Sequence, residues 1–330
     1  MVAFLSIIHS GSFPMELYPG AHQISSLFKD GRPLFQYLLV GERVLLVDTG
    51  VSVTPEQAIL PYLDQLGLDP GRLTMVITTH PDMDHQGGNS AIRRSAPAAL
   101  LACGEADRHL VEDPHCLFRD RYNFLQKEHG VGMGEEVPPD AGSFCRVDIG
   151  FRGGEQIAID NGWEMEVLHV PGHSHGHLAL YDAAHKTAFV SDAVHGHGCP
   201  KVDGSMGIPV TYFYIDLYLS TVTHLENLQL EHLHTGHWPS MQGDEIRDFF
   251  NDSRKTVEIL DRKIIRALSQ SRLGLTLSEI MDAAMEEFPE WPASTRVLSS
   301  FPAIGHLSRL EERGQVRMER QSSPPRWKIA

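Results

Sequence analysis

Residues 78–88 read TTHPDMDHQGG, directly behind the apolar run MVI. His80, Asp82, Asp84 and His85 fall within six positions. Neutral imidazole and ionised carboxylate are the donors that zinc, manganese and iron take. A divalent ion needs several such groups to converge, and the alternation here allows it. A tight loop can direct His80 and Asp82 at one ion and Asp84 and His85 at a second. Three later stretches repeat the layout of an apolar run followed by a polar loop: VPGHSHGH with His173, AFVSDA with Asp192 and HTGHWP with His237. A polar surface turn explains the first stretch alone, but it does not explain four.

The flanking residues predict the elements that must position these groups. FQYLLVGERVLLVDTG (35–50) reads as two strands around a GER turn, ending at Asp48-Thr49-Gly50. Apolar spacing predicts a helix over 55–67, opened by Pro55 and stopped by Gly67. LTMVITT (73–79) and ALLACG (99–104) are short buried strands. MEVLHVPGH (165–173) is strand then loop, 178–192 a hairpin, 215–229 a helix, and EHLHTGHW (231–238) another strand-to-loop passage. MVAFLSII at the start reads as a first strand and lacks the layout of a signal peptide. Strands alternating with helices imply an α/β sheet domain, whose strand ends gather loop residues at one rim.

From about residue 244 the pattern becomes helical. Val257, Leu260, Ile264, Ile265 and Leu268 repeat at helical spacing. TLSE (276–279) forms a capping box for a second helix, and a third runs over 301–313 to Gly314. QVRMER and RWKIA flank QSSPP as a small hairpin. The expected division is 1–243 for the sheet domain and 244–330 for a winged-helix-like domain.

Composition narrows the function. The 330 residues carry 28 Lys+Arg against 43 Asp+Glu, a net charge of −15 with histidine neutral. The acidic excess lies in the first domain, which disfavours a phosphate backbone as its partner. In the second, Arg309, Arg313, Arg317, Arg320, Arg326 and Lys328 leave a net positive stretch that reads foremost as a solvated face. The apolar runs are all too short to span a bilayer. Cys103, Cys116, Cys145 and Cys199 form no C-x-x-C and read as reduced thiols of a cytoplasmic protein.

With these motifs in order, the chain resembles the metallo-β-lactamase-fold hydrolases over roughly residues 20–240. Their usual first motif is H-x-H-x-D-H followed by glycines. Here it stands as His80-Pro81-Asp82-Met83-Asp84-His85 before Gly87-Gly88, and the His173, Asp192 and His237 loops match the second, third and fourth motifs. The resemblance implies an αββα sandwich with a metal held by His80, Asp82 and His173, a second by Asp84, His85 and His237, and Asp192 bridging them. It further implies a metal-bridging hydroxide as nucleophile, since a bound divalent ion lowers the pKa of water to about 7, with Asp84 orienting that water and moving its proton. Two zinc ions are the expected cofactors. Asp82 replaces the usual histidine, and its harder oxygen donors leave iron or manganese open. The C-terminal segment resembles the winged helix appended to relatives with endoribonuclease activity.

Residues 105–150 and 204–216 are long enough to line a substrate pocket, with Phe124, Tyr212 and Tyr214 as candidate walls and Arg119 and Arg121 as candidate anion contacts. His175, His177, His195 and His197 stand beside the ligand loops as candidate supports, while His169, His232 and His234 read as packing. The expected function is a dinuclear metallohydrolase of a small-molecule ester, lactone or thioester. The alternatives are a metal-dependent endoribonuclease and an iron oxidoreductase, and a homodimer stays open.

Overall fold

The computed structural model describes residues 15–288 and 290–330. The N-terminal strand expected at 1–8 lies outside them. A seven-stranded sheet runs in sequential order from β1 (Met15–Tyr18) through β2 (Ala21–Leu27), β3 (Pro33–Val40), β4 (Val44–Val47), β5 (Leu73–Thr78) and β6 (Leu100–Gly104) to β7 (Ile149–Phe151). The hairpin expected at 35–50 is β3–β4, antiparallel with Tyr37 opposite Val47. The β4–β5, β5–β6 and β6–β7 pairs are parallel. The second sheet has six strands. It holds β8 (Gln156–Asp160), β9 (Trp163–His169), β10 (Leu178–Asp182) and β11 (Thr187–Ser191), then β14 (His232–Thr235) and β15 (Met241–Gln242). β12 (Cys199–Pro200) and β13 (Met206–Ile208) form a small ribbon between them in sequence.

Side chains alternate across a strand, so a strand buried on both faces reads as a continuous apolar run. In β4, Leu45 and Val47 enter the core between the sheets, where Phe35, Tyr37, Ile77, Val167, Leu180 and Phe189 meet them. Val44 and Leu46 point the other way, onto Ile59 and Leu63 around α1 (Leu60–Gln65) and Ile92 of α3 (Asn89–Ser95). Between those helices lies the single turn α2 (Met83–Gln86). Leu168, Val190 and Leu233, on the outer face of the second sheet, pack on α4 (Ile215–Asn227) and α5 (Asp244–Gln270). The layers are therefore helix, sheet, sheet, helix, and each fully buried Leu, Val or Ile contributes about 1.5–3 kcal/mol.

The C-terminal helices form as their sequence predicts. α5 buries Phe249, Phe250, Val257, Leu260, Ile264 and Leu268 along one stripe. In front of α6 (Leu277–Glu287), Thr276 and Glu279 bond reciprocally: the Thr276 amide donates to Glu279 Oε2 at 2.7 Å and the Glu279 amide to Thr276 Oγ1 at 3.3 Å. α7 (Ser300–Glu312) follows. β16 (Leu275–Thr276), β17 (Val316–Glu319) and β18 (Arg326–Ile329) form an antiparallel sheet in the order β16-β18-β17. The core does not stop at residue 243. Phe249 and Leu260 share one cluster with Leu168 and Tyr218, and Leu125 and Val131 share another with Leu277 and Trp327. Among the described residues, no helix is long and apolar enough to cross a membrane.

Candidate metal centre

Each candidate ligand follows a strand end. His80 comes two residues after β5, and Asp82 caps α2, which carries Asp84 and His85. His173 follows β9 through Pro171-Gly172. There Gly172 takes φ 145°, and a Cβ would lie 2.6 Å from the Cα of Tyr218. Asp192 follows β11 and His237 follows β14, strands that pair in parallel and so deliver both loops to the same rim.

All seven residues converge. Donor atoms of His80, Asp82 and His173 lie within 4.8 Å of one another, as do those of Asp84, His85 and His237. Asp192 stands against the second group, with Oδ2 3.2 Å from His237 Nε2 and Oδ1 3.8 Å from His85 Nε2. The histidines share one design: Nδ1 is engaged from behind and Nε2 faces inward. Nδ1 of His80 meets Thr79 Oγ1 at 3.0 Å, that of His85 meets Asp48 Oδ2 at 2.9 Å, and that of His237 meets the Pro33 carbonyl at 2.8 Å. Nδ1 of His173 meets His195 Nε2 at 3.1 Å and Thr211 Oγ1 at 3.2 Å. Such outer partners fix the tautomer and ring orientation of a metal-binding histidine. His80 Nε2 is buried with no hydrogen-bond partner. An unsatisfied buried polar atom is costly. In the second group the Nε2 atoms of His85 and His237 lie 3.4 Å apart, with Asp84 Oδ2 and Asp192 Oδ2 at 3.7 and 3.2 Å from the latter. The donor set thus fits a divalent ion.

The support is strained and charged. Asp48 and Ser191 adopt φ values of 59° and 48°, a region that few non-glycine residues enter. They hold each other, Ser191 Oγ donating to Asp48 Oδ2 at 2.9 Å, while the Thr79 amide donates to Asp48 Oδ1 at 2.8 Å. Two buried arginines face the ligand carboxylates. Arg32 Nη1 donates to Asp84 Oδ2 at 3.2 Å. Arg121 grips Asp82 with both nitrogens of its fork, Nε to Oδ1 at 2.6 Å and Nη2 to Oδ2 at 3.1 Å. Burial by itself would raise the pKa of Asp82, but Arg121 and His173 outweigh it and hold the carboxyl well below its ordinary range. Burial opposes ionisation of Asp192 too, and His237 and His85 overcome it. Burial, with the neighbouring imidazoles, keeps His80 neutral. For His85 burial is likewise unfavourable to charge, but Asp192 and Asp48 push its pKa up to about 10, the mark of a position that attracts a cation.

The family profile of the metallo-beta-lactamase superfamily matches residues 31–237, more than half of the chain and all seven of these positions. The chain belongs to this superfamily. Among curated proteins, it is 25% identical over 142 residues to a hydroxyacylglutathione hydrolase of Aeromonas salmonicida, covering 43% of this chain and 41% of that protein. It is 27% identical over 205 residues to the acyl-coenzyme A thioesterase MBLAC2 of Gallus gallus, covering 57% and 64%. The chain therefore spans less than two thirds of these relatives. Among solved structures, a metallo-beta-lactamase family protein from Thermus thermophilus superposes with a TM-score of 0.72 at 21% identity, over 96% of this chain and 100% of that one. A beta-lactamase domain protein from Burkholderia ambifaria gives 0.73 at 18% identity, over 97% and 94%. At these identities the structures establish the fold.

On this metallo-β-lactamase frame a cleft of about 210 Å³ opens beside the His173 loop. Its wall includes Phe124, Phe213, Tyr214 and Phe301, and Arg121 lies where the cleft meets the ligand groups. Phe124 and Tyr214 thus stand where a pocket wall was expected. Tyr212 does not: it is fully buried, its hydroxyl 3.2 Å from His306 Nε2, and it packs in the core with Tyr218. Of three consecutive aromatic residues, Phe213 and Tyr214 face the cleft and Tyr212 the core, which the composition of the stretch does not reveal. Arg119 is exposed on Asp120. His175 stacks on Tyr214 at 3.8 Å and His177 on His80 at 4.6 Å. His195 backs His173, and His197 turns away to Asp252. Sequence reasoning missed Arg32 and the pairing of Arg121 with Asp82. Two carboxylates in one loop behind an apolar strand were the available signal, because charges drawn towards a core need partners.

Proposed function

We propose that this protein is a metal-dependent hydrolase of a small-molecule thioester. The observation that carries the reading is the convergence of inward-facing Nε2 atoms and carboxylates on a rim where an aromatic cleft ends. The thioester class draws support from the relatives named as hydroxyacylglutathione hydrolase and acyl-coenzyme A thioesterase. Zinc is the proposed metal, which takes both imidazole and carboxylate donors such as those of Asp84, His85, His237 and Asp192, and the cytoplasm the proposed compartment.

A bound divalent ion supplies Lewis acidity and an acidified water at neutral pH. The chain's own residues do the rest. The cleft takes the acyl chain against Phe124 and Phe301 and excludes water from it. Asp84, steadied by Arg32 through its Oδ2, receives the proton of the attacking water. Arg121 holds Asp82 and the His173 carbonyl in place where the cleft ends.

The C-terminal segment, helices followed by the β17–β18 hairpin, is read here as a winged-helix-like module. Its cations are paired: Arg309 with Asp216 and Asp261, Arg313 with Asp216, Arg317 and Lys328 with Glu319, Arg320 with Glu128 and Arg326 with Glu279. That pairing favours a packed, solvated face over an RNA contact.

The test is a hydrolysis panel of acyl-glutathione and acyl-coenzyme A thioesters, esters and lactones, run with metal analysis. His85→Ala and Asp192→Ala should each lose metal and activity together. Full metal content in both variants would sink the assignment.

A further inference from the structure

The two ligand groups differ in one respect. A guanidinium already touches the donor atoms of the first. Arg121 Nη2 lies 3.0 Å from His173 Nε2, the atom that faces inward, and the same nitrogen reaches Asp82 Oδ2 at 3.1 Å. Nη1 donates to the His173 carbonyl at 3.1 Å, and Tyr122 Oη closes on Asp82 Oδ1 at 2.9 Å. Phe301 lies 5.3 Å from the guanidinium carbon, so the cation is boxed in from the cleft side as well. The second group has no such occupant among the described residues. Arg32 reaches Asp84 Oδ2 but bonds its other partner, Asp30, outside the group.

Charge points the same way. Asp48, Asp82, Asp84 and Asp192 are four carboxylates in one largely buried cluster, and Arg32 and Arg121 are two buried cations within it. Arg121 offsets Asp82 within the first group, whereas Arg32 is shared between Asp84 and Asp30, so the second group, with Asp192, still calls for a cation.

We infer that Arg121 is the resident cation of the His80–Asp82–His173 group, so that the chain holds one divalent ion, at Asp84, His85, His237 and Asp192. This rests on the metal-dependent reading proposed above. It makes the departure of Asp82 from histidine intelligible: an aspartate there is the partner of an arginine, whose planar fork matches a carboxylate in two-point contact. Withdrawing the arginine frees His173 Nε2 and Asp82 to join His80 Nε2, which has no partner now, in a complete three-donor site.

The test is zinc stoichiometry of the full chain after equilibration with excess zinc and gel filtration, read by mass spectrometry and by calorimetric titration. The expected result is one zinc per wild-type chain, two in Arg121→Met and none in His237→Ala. The last variant keeps Arg121 and does not depend on Arg121→Met folding. Two zincs in the wild type, or one retained in His237→Ala, would overturn the inference and leave the metallohydrolase reading intact. One zinc in a folded Arg121→Met would also overturn it. A wild-type chain that binds no zinc would overturn both.

Discussion

Gly236 leaves no room for a side chain against the candidate metal ligands. It stands between Thr235 and His237, and its backbone does not require a left-handed φ, so an alanine could adopt the conformation. The obstacle is space. A Cβ there would lie 2.5 Å from Asp192 Oδ1 and 2.7 Å from His85 Cε1. Ordinary contact begins near 3.4 Å, so Asp192 and His85 must give by about 0.9 and 0.7 Å. The main chain cannot retreat instead, because the Gly236 amide donates to Ser191 O at 3.1 Å and its carbonyl accepts from the Phe35 amide at 2.9 Å. Metal–ligand distances tolerate only about 0.2 Å. Overpacking of this kind costs about 1–3 kcal/mol, and if the cost falls on the metal-bound state, zinc affinity should drop about 5- to 150-fold. Chelator-competition titration of Gly236→Ala, with circular dichroism to verify the fold, measures this. A folded variant that binds zinc within twofold of the wild type would refute the steric account of this glycine.

Asp48→Asn removes the carboxylate behind His85 Nδ1 and should weaken zinc binding about 10- to 100-fold while the chain stays folded; the same titration reads it. Asp182 receives hydrogen bonds from Tyr18 Oη at 2.9 Å, Trp163 Nε1 at 2.7 Å and His185 Nδ1 at 2.9 Å. Burial alone would raise its pKa, but His185, Trp163 and Tyr18 lower it. A depressed carboxylate pKa stabilises the fold above its unfolded value, and that contribution is lost as pH falls through the folded value. Asp182→Asn should therefore lower Tm at pH 7, by a loss of about 1–3 kcal/mol, and the gap to the wild type should narrow below about pH 4; a constant gap in calorimetry would count against it. A chain ending at residue 243 should lose near-ultraviolet circular dichroism, because Phe249, Phe250, Val257 and Leu260 complete the core over the second sheet.

How much of this was legible in the sequence can be judged residue by residue. The ligand loops could be read because their signal is local: an apolar run ending in histidine, aspartate and glycine states where a strand stops and what it carries. The capping box at Thr276 and the β3–β4 hairpin are local in the same sense. The domain boundary at 243 came from a change of periodicity, and periodicity reports what one segment does with its own faces. Which other segment covers those faces is a separate matter, and α5 covers the second sheet. Tyr212 illustrates the same limit, since an aromatic residue suits a pocket wall and a core equally well until its neighbours are fixed.

The sequence by itself determined the candidate donors and the strands that bring them to one rim, because spacing and hydrophobic alternation act over a few residues. Only the tertiary structure decided which charges those donors face. Arg121 lies 39 residues from Asp82 and Arg32 lies 52 from Asp84. A buried carboxylate demands a partner without specifying where in the chain it comes from, and that is settled by the path of the loops.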